Sequence, residues 1–252
     1  MKKHIVAIGG GEIRKKETLA IDKEIIRLSG KKTPRLLFIP TATSDDRDYC
    51  LSIEKYFGKF LGCHTKFLLL LKQKPTLSEI SKKISDADII YVGGGNTLMM
   101  LRLWRRLGVD RLLRAAYNKG TVLCGPSAGS ICWFESGHSD SMSFYNPKDW
   151  QYINVKGLGL IRGVHCPHYD SHTLSVPRKK SFQRMMLGLS TIGIAIEDRC
   201  AIHFQDGNSY RVISANRKAA AYRVYRKNGK VIEEKIVANS KPRAVSELYV
   251  KT

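Results

Sequence analysis

The first half of the chain alternates short apolar runs with longer amphipathic ones, and this alternation limits the fold more than any other feature. Residues 4–8, 35–39, 66–71, 88–92 and 121–124 are apolar after their first residue and read as strands buried on both faces. Between them, residues 18–28, 45–61, 77–84, 97–107 and 110–117 carry apolar side chains at helical spacing, as in Leu19, Ile21, Ile25, Ile26 and Leu28. Strands of this kind, interleaved with amphipathic helices, predict an α/β fold: a mostly parallel sheet with helices on both faces. In such sheets, sites form where the carboxyl ends of strands turn into helices. That rule points to three loops, at Gly9-Gly10-Gly11, Gly93-Gly94-Gly95-Asn96 and Gly125–Gly129.

Beyond Phe134 the character changes. Residues 135–159 are polar and aromatic, without a long periodic run, and read as a loop region longer than a connection requires. Residues 160–164, 192–196 and 200–204 read as strands and 177–189 as a helix. Residues 209–213, 220–225 and 230–236 form a C-terminal β extension, and Asn228-Gly229 marks a hairpin between the last two. With 252 residues, no internal repeat and no linker, residues 1–252 read as one domain.

No apolar segment has the length that spans a bilayer, and the run after Met1-Lys2-Lys3-His4 stops too early for a signal-peptide core. The six cysteines are scattered, with no CxxC pair, which is neither a disulfide framework nor a zinc pattern. These features point to the cytoplasm and to no metal or cofactor. Lys+Arg 43 against Asp+Glu 22 gives a formal charge of +21. A surplus of that size attracts nucleic acid or anionic surfaces. The basic residues are spread along the chain, however, without an RNA-binding or helix-turn-helix signature, so a generally basic surface is the preferred reading. Neither membrane nor nucleic-acid partners are expected.

The chemistry lies in Val122-Leu123-Cys124-Gly125-Pro126-Ser127-Ala128-Gly129-Ser130-Ile131. A buried strand runs into Gly-x-Ser-x-Gly and then a helix. Small residues around the serine permit a sharp turn that exposes its hydroxyl, while first-turn N–H groups favour a developing oxyanion. Ser127 is therefore the candidate nucleophile, against the alternative of an ordinary serine N-cap. Ala128 and a glycine of the 93–95 run, Gly94 before its neighbours, are the candidate oxyanion donors. Of seven histidines, His168 follows a strand end at the correct sheet edge and is the candidate base. His165 alternates with strand residues and reads as packed. Glu135, Asp140 and Asp170 all compete for the role of the acid that orients the imidazole. Asn96, His138 and Tyr169 are candidate pocket residues.

Taken together, Gly93-Gly94-Gly95-Asn96-Thr97, Gly125–Ser130 and Pro167-His168-Tyr169, with Phe38-Ile39-Pro40-Thr41-Ala42, resemble the signature segments of the peptidase E (dipeptidase E) family, with cyanophycinase a more distant relative. The resemblance covers nearly the whole chain. It implies a fold similar to class I glutamine amidotransferase domains, with serine in place of cysteine at the elbow. It also implies a cofactor-free Ser-His-acid triad that cleaves short peptides near their N-terminus through an acyl-enzyme, in a monomer or homodimer. Ser127, His168 and Gly94 match the family's nucleophile, base and oxyanion loop. Asp140 matches the acid best, with Glu135 as the alternative. The best-known members grip an N-terminal aspartate with a basic residue in the segment after the nucleophile helix; Trp133–His138 here contains no arginine or lysine.

Two other readings compete. An esterase of the α/β-hydrolase type shares Gly-x-Ser-x-Gly and would use a late histidine such as His203. A catalytically idle scaffold would use its basic surface to bind.

Overall fold

The computed structural model describes residues 1–216, 218–238 and 241–251. Its elements are, in order, β1 (His4–Ile8), α1 (Leu19–Leu28), β2 (Arg35–Ile39), α2 (Arg47–Ile53), β3 (His64–Phe67), α3 (Leu77–Ser85), β4 (Ile89–Val92), α4 (Thr97–Leu107), α5 (Val109–Asn118), β5 (Val122–Pro126) and α6 (Ala128–Ile131). There follow β6 (Phe134–Ser139), β7 (Ile153–Lys156), β8 (Ile161–Cys166), β9 (His172–Thr173), β10 (Val176–Pro177), α7 (Arg178–Leu187), β11 (Gly193–Ile196), β12 (Cys200–Gln205), β13 (Ser209–Ser214), β14 (Ala221–Lys227), β15 (Lys230–Ile236) and β16 (Arg243–Ala244).

The alternation read from the sequence builds the first sheet. Strands β1, β5, β4, β2 and β3 are parallel neighbours in that order. Successive residues of each strand face opposite sides. Ala7, Leu37, Ile90 and Leu123 pack with Ile80, Met100, Trp104 and Leu113 of α3, α4 and α5. Val6, Leu36, Phe38, Tyr91 and Cys124 pack with Ile21, Ile25, Ile53 and Phe57 on the other side. Each large side chain buried in this way contributes about 2 kcal/mol, which is why strands apolar on both faces enforce two helical layers.

Three features go beyond the sequence reading. The β structure after Phe134 is not an extension of one sheet. β12, β13 and β16 add to β1 as antiparallel strands, while β15-β14-β11-β8-β6-β7 form a second, six-stranded sheet. Its inner strands β6, β8 and β11 run parallel, and α7 covers one face through Phe182 and Met186. The polar stretch 135–159 likewise contains the antiparallel pair β6–β7 and not a continuous loop. Its polarity concealed a strand because the polar groups are buried and satisfied: His138 Nε2 bonds Ser181 Oγ at 3.0 Å, and Ser139 and Ser141 hydroxyls bond each other at 2.7 Å.

The helix expected over 45–61 is also split. It is α-helical to Ile53 and then a π-helix over Glu54–Phe60. Behind it lies a buried carboxylate. Asp22 of α1 has no exposure; its Oδ2 accepts hydrogen bonds from Thr18 Oγ1 (2.7 Å) and Tyr56 Oη (2.8 Å), and its Oδ1 has no partner among the described residues. Burial pushes its pKa from 3.8 up to about 7, against the opposing pull of those two hydrogen bonds. A carboxyl that holds its proton more tightly when folded stabilises fully below its unfolded pKa and loses that contribution as pH rises to the folded value. Between pH 4 and 7 this group alone should therefore remove on the order of 4 kcal/mol. Asp22→Asn, which cannot ionise, should flatten that part of the curve of unfolding free energy against pH in urea titrations.

Candidate active site

Ser127 follows β5 with φ 55° and ψ −118°. A residue with a side chain seldom adopts this conformation, at a cost of about 1–3 kcal/mol. The surrounding sheet holds it there. A Cβ at Gly125 would lie 2.2 Å from the Val92 carbonyl oxygen, and one at Gly129 2.0 Å from the same atom. The last carbonyl of β4 is thus lodged between the two glycines of Gly-x-Ser-x-Gly, and the serine between them is turned outward, half-buried among buried neighbours. α6 has only four residues, so its macrodipole is small, but its first N–H groups, beginning at Ala128, have no intrahelical partner. The glycine loop after β4 lies alongside: a Cβ at Gly94 would be 3.2 Å from Ser127 Cβ and 3.7 Å from its Oγ. Tyr49 braces this loop. Its ring edge would meet a Cβ at Gly93 at 2.9 Å, and its phenol is pushed up to about 12, chiefly by burial.

Beyond β8, His168 sits at φ 51° with Nδ1 2.6 Å from Asp198 Oδ1. Burial pushes the Asp198 carboxyl up, but the hydrogen bond from His168 and the charges of His168, Arg199 and Arg178 outweigh it and hold the pKa below the usual value. An ionised carboxylate accepts only, so Nδ1 carries a proton toward Asp198 and Nε2 is the ring nitrogen turned away from it. The structure thus pairs His168 with Asp198 and not with Asp140 or Glu135. β8 and β11 are parallel neighbours, with Cys166 opposite Ala195, so each projects the residue two past its end to the same edge: His168 from one, Asp198 from the other. The signal that would have found Asp198 was the strand-end rule already applied to the glycine loops. Asp170 also contributes, since its Oδ1 accepts the Asp198 N–H at 2.9 Å.

The other expected residues are engaged elsewhere. Asp140 accepts from Arg178 Nη2 (2.7 Å) and Thr173 Oγ1 (2.9 Å), and Arg178 is itself 2% exposed. Glu135 sits at a bulge of β6, where its Oε2 takes the Gly163 N–H at 2.8 Å. Of the pocket candidates, Asn96 is buried and caps α4 by accepting the Met99 N–H. His138 has no exposure, stacks on Tyr152 at 4.1 Å and is held well below the usual histidine range by burial and by the Arg178 charge. Tyr169 is 1% exposed and donates to Glu233 Oε2 at 2.6 Å.

Two other histidines are buried in pairs. His165 donates from Nδ1 to the Ile194 carbonyl (2.8 Å), which leaves Nε2 to accept the Ser130 hydroxyl (2.8 Å). Both residues have no exposure, and burial pushes His165 down to about 3, so it is packed as expected. His203, the base an esterase reading would need, is buried opposite Val6 in mid-strand, 2.9 Å from His4 Nδ1.

A strained serine beside a glycine loop, with an oriented histidine on the next strand ends, is the arrangement of a serine hydrolase. Residues 5–212 match the model of peptidase family S51, and the chain belongs to that family. It is a serine-type peptidase. An uncharacterized peptidase of Bacillus subtilis (strain 168), YgaJ, is 35% identical over 226 residues, covering 88% of this chain and 92% of the relative. Peptidase E of Shewanella denitrificans (strain OS217 / ATCC BAA-1090 / DSM 15013) is 25% identical over 196 residues, covering 75% and 79%. Among solved structures, a peptidase from an acI-B1 Actinobacterium superposes with a TM-score of 0.74 at 21% identity, over 97% of both chains. A putative peptidase E from Listeria monocytogenes EGD-e gives 0.64 at 22% identity, over 85% and 99%. No helix among the described residues is long and apolar enough to cross a membrane.

The histidine–aspartate pair rests on Gly10. A Cβ there would lie 2.1 Å from Asp198 Oδ1 and 2.3 Å from His168 Nδ1. Gly10→Ala should displace both groups and lower turnover about 100-fold while circular dichroism stays native; an unchanged rate would mean the pair has room to spare.

Proposed function

We propose that this peptidase hydrolyses short peptides through an acyl-enzyme on Ser127. His168 Nε2 takes the hydroxyl proton as Oγ attacks the scissile carbonyl. The oxyanion lies between the Ala128 N–H and the glycine-loop backbone at Gly94. His168 then gives the proton to the leaving amine, and water, activated by the same nitrogen, releases the acyl group. Asp198 fixes the ring tautomer and stabilises the imidazolium as it forms. The observation that carries this reading is the 2.6 Å Nδ1–Oδ1 pair, on strand ends adjoining a serine held at φ 55°.

The roles of the two aspartates separate in kinetics and stability. Asp198→Asn should lower kcat on a di- and tripeptide panel by about ten-thousand-fold, and Ser127→Ala should abolish acyl-enzyme formation seen by mass spectrometry. Asp140→Asn leaves Arg178 buried without its anion, so it should cost about 3 kcal/mol of stability yet retain most turnover at low temperature. If Asp140→Asn were instead the variant that lost turnover while remaining folded, the assignment of Asp198 would be overturned.

A further inference from the structure

A cavity of about 280 Å³ lies between the turn at Gly11–Arg14 and residues 46–52 along α2. Two of its wall residues, Gly11 and Tyr49, are linked to the site. Gly11 follows Gly10, on which the His168–Asp198 pair rests, and Tyr49 braces Gly93 and Gly94 next to Ser127. Through Ile13, Arg14 and Ser52, which line both, it continues into a second cavity of about 590 Å³ that reaches Tyr56 and Phe60. The shared wall joins the two into one cleft, with the smaller cavity on the side of Gly11 and Tyr49.

We propose that this cleft receives the leaving part of the peptide, and that it selects an apolar C-terminal side chain followed by a free carboxylate. The assignment rests on the acyl-enzyme reading above: His168 protonates the leaving amine, so the leaving residue lies on the histidine side, where the cleft begins at Gly11. The outer wall is apolar yet open to solvent, with Leu51 and Phe60 exposed by 41% and 49%. Its shape comes from the π-helix Glu54–Phe60, a widened turn that proteins retain mostly at functional sites. The wider turn brings Tyr56 and Phe60 into a stack, with ring centroids 5.8 Å apart and planes at 29°. Glu12 and Asp46 line the inner cavity beside Arg14, so the charge fits a carboxylate in the outer cavity. Arg14, Lys16 and Lys55 line the outer cavity against the single acid Asp48, and Lys16 Nζ stands 3.7 Å over the Phe60 ring. A ligand that lays an apolar side chain on Phe60 therefore meets an ammonium at the same point.

Binding to Ser127→Ala, which leaves peptides intact, tests the cleft without turnover. Calorimetry with di- and tripeptides ending in Phe or Gly, as free acids and as amides, should find the Phe-ending acids bound about tenfold tighter than either counterpart. Adding Phe60→Ala should erase the preference for Phe but not that for the acid. Adding Lys16→Gln with Lys55→Gln should do the reverse. Equal affinities across the panel, no measurable binding of any member, or preferences that survive these changes would overturn the proposal. Ser127-dependent cleavage is scored separately with the unmodified enzyme. Cleavage with no such preference would sink the cleft alone, whereas selective binding without cleavage would sink the acyl-enzyme reading alone.

Discussion

The site depends on two consecutive residues that have no side chain. At the end of β1, Gly9 and Gly10 lie where the two sheets converge. The Gly9 carbonyl accepts the His168 N–H at 3.1 Å, its N–H donates to Cys200 at 2.9 Å, and the Gly10 carbonyl accepts the Arg199 N–H at 2.9 Å. A Cβ on Gly9 would lie 2.1 Å from the Glu197 carbonyl. Three chain segments thus meet at backbone distance, from β1 of the first sheet and from the loops after β8 and β11 of the second. Ser127 belongs to the first sheet, and His168 and Asp198 follow strands of the second. Their relative position is set across this seam by main-chain hydrogen bonds and not by side chains, which have rotamer freedom.

Strain at the serine is kept by the same kind of constraint. Relaxing φ at Ser127 would move Gly125 or Gly129, and both are pinned against the Val92 carbonyl in the middle of a parallel sheet. The cost, about 1–3 kcal/mol, is small beside the burial on both faces of β4 and β5, where every residue of both strands is buried. A sheet this well packed can therefore hold one unfavourable backbone conformation where the chemistry needs it.

This logic separates what was legible in the sequence from what was not. The alternating half could be read because each strand signals two buried faces locally, and the order of β1 to β5 follows from that. Ser127 and His168 could be read because a tight turn between glycines and a strand-end histidine are local signals too. Asp198 could not be singled out that way. It lies 30 residues from its partner, and only the pairing of β8 with β11 makes them neighbours. Asp140 misled for the complementary reason, because its neutralising cation, Arg178, is 38 residues away. Burial misled at Asn96, His138 and Tyr169. Their polar atoms look available in one dimension and are engaged in three: with a helix N-terminus, with Ser181 and with Glu233.

The same commitments bear on how such a site can discriminate. Polar groups in the loops after β4 and β6 are used to hold those loops, so the segments nearest Ser127 present chiefly backbone. Backbone recognises what all peptides share. Selectivity is better placed on an element with fewer duties to the active-site loops, and the α2–π-helix segment is built that way. Its inner face, through Ile53 and Phe57, is fully buried against the first sheet, while Leu51, Phe60 and Lys55 remain at the surface. Changes on that outer face alter the cleft without moving Val92, Gly10 or the strand ends that carry the reaction. A division of this kind separates the packing that fixes the frame from the surface that is free to vary.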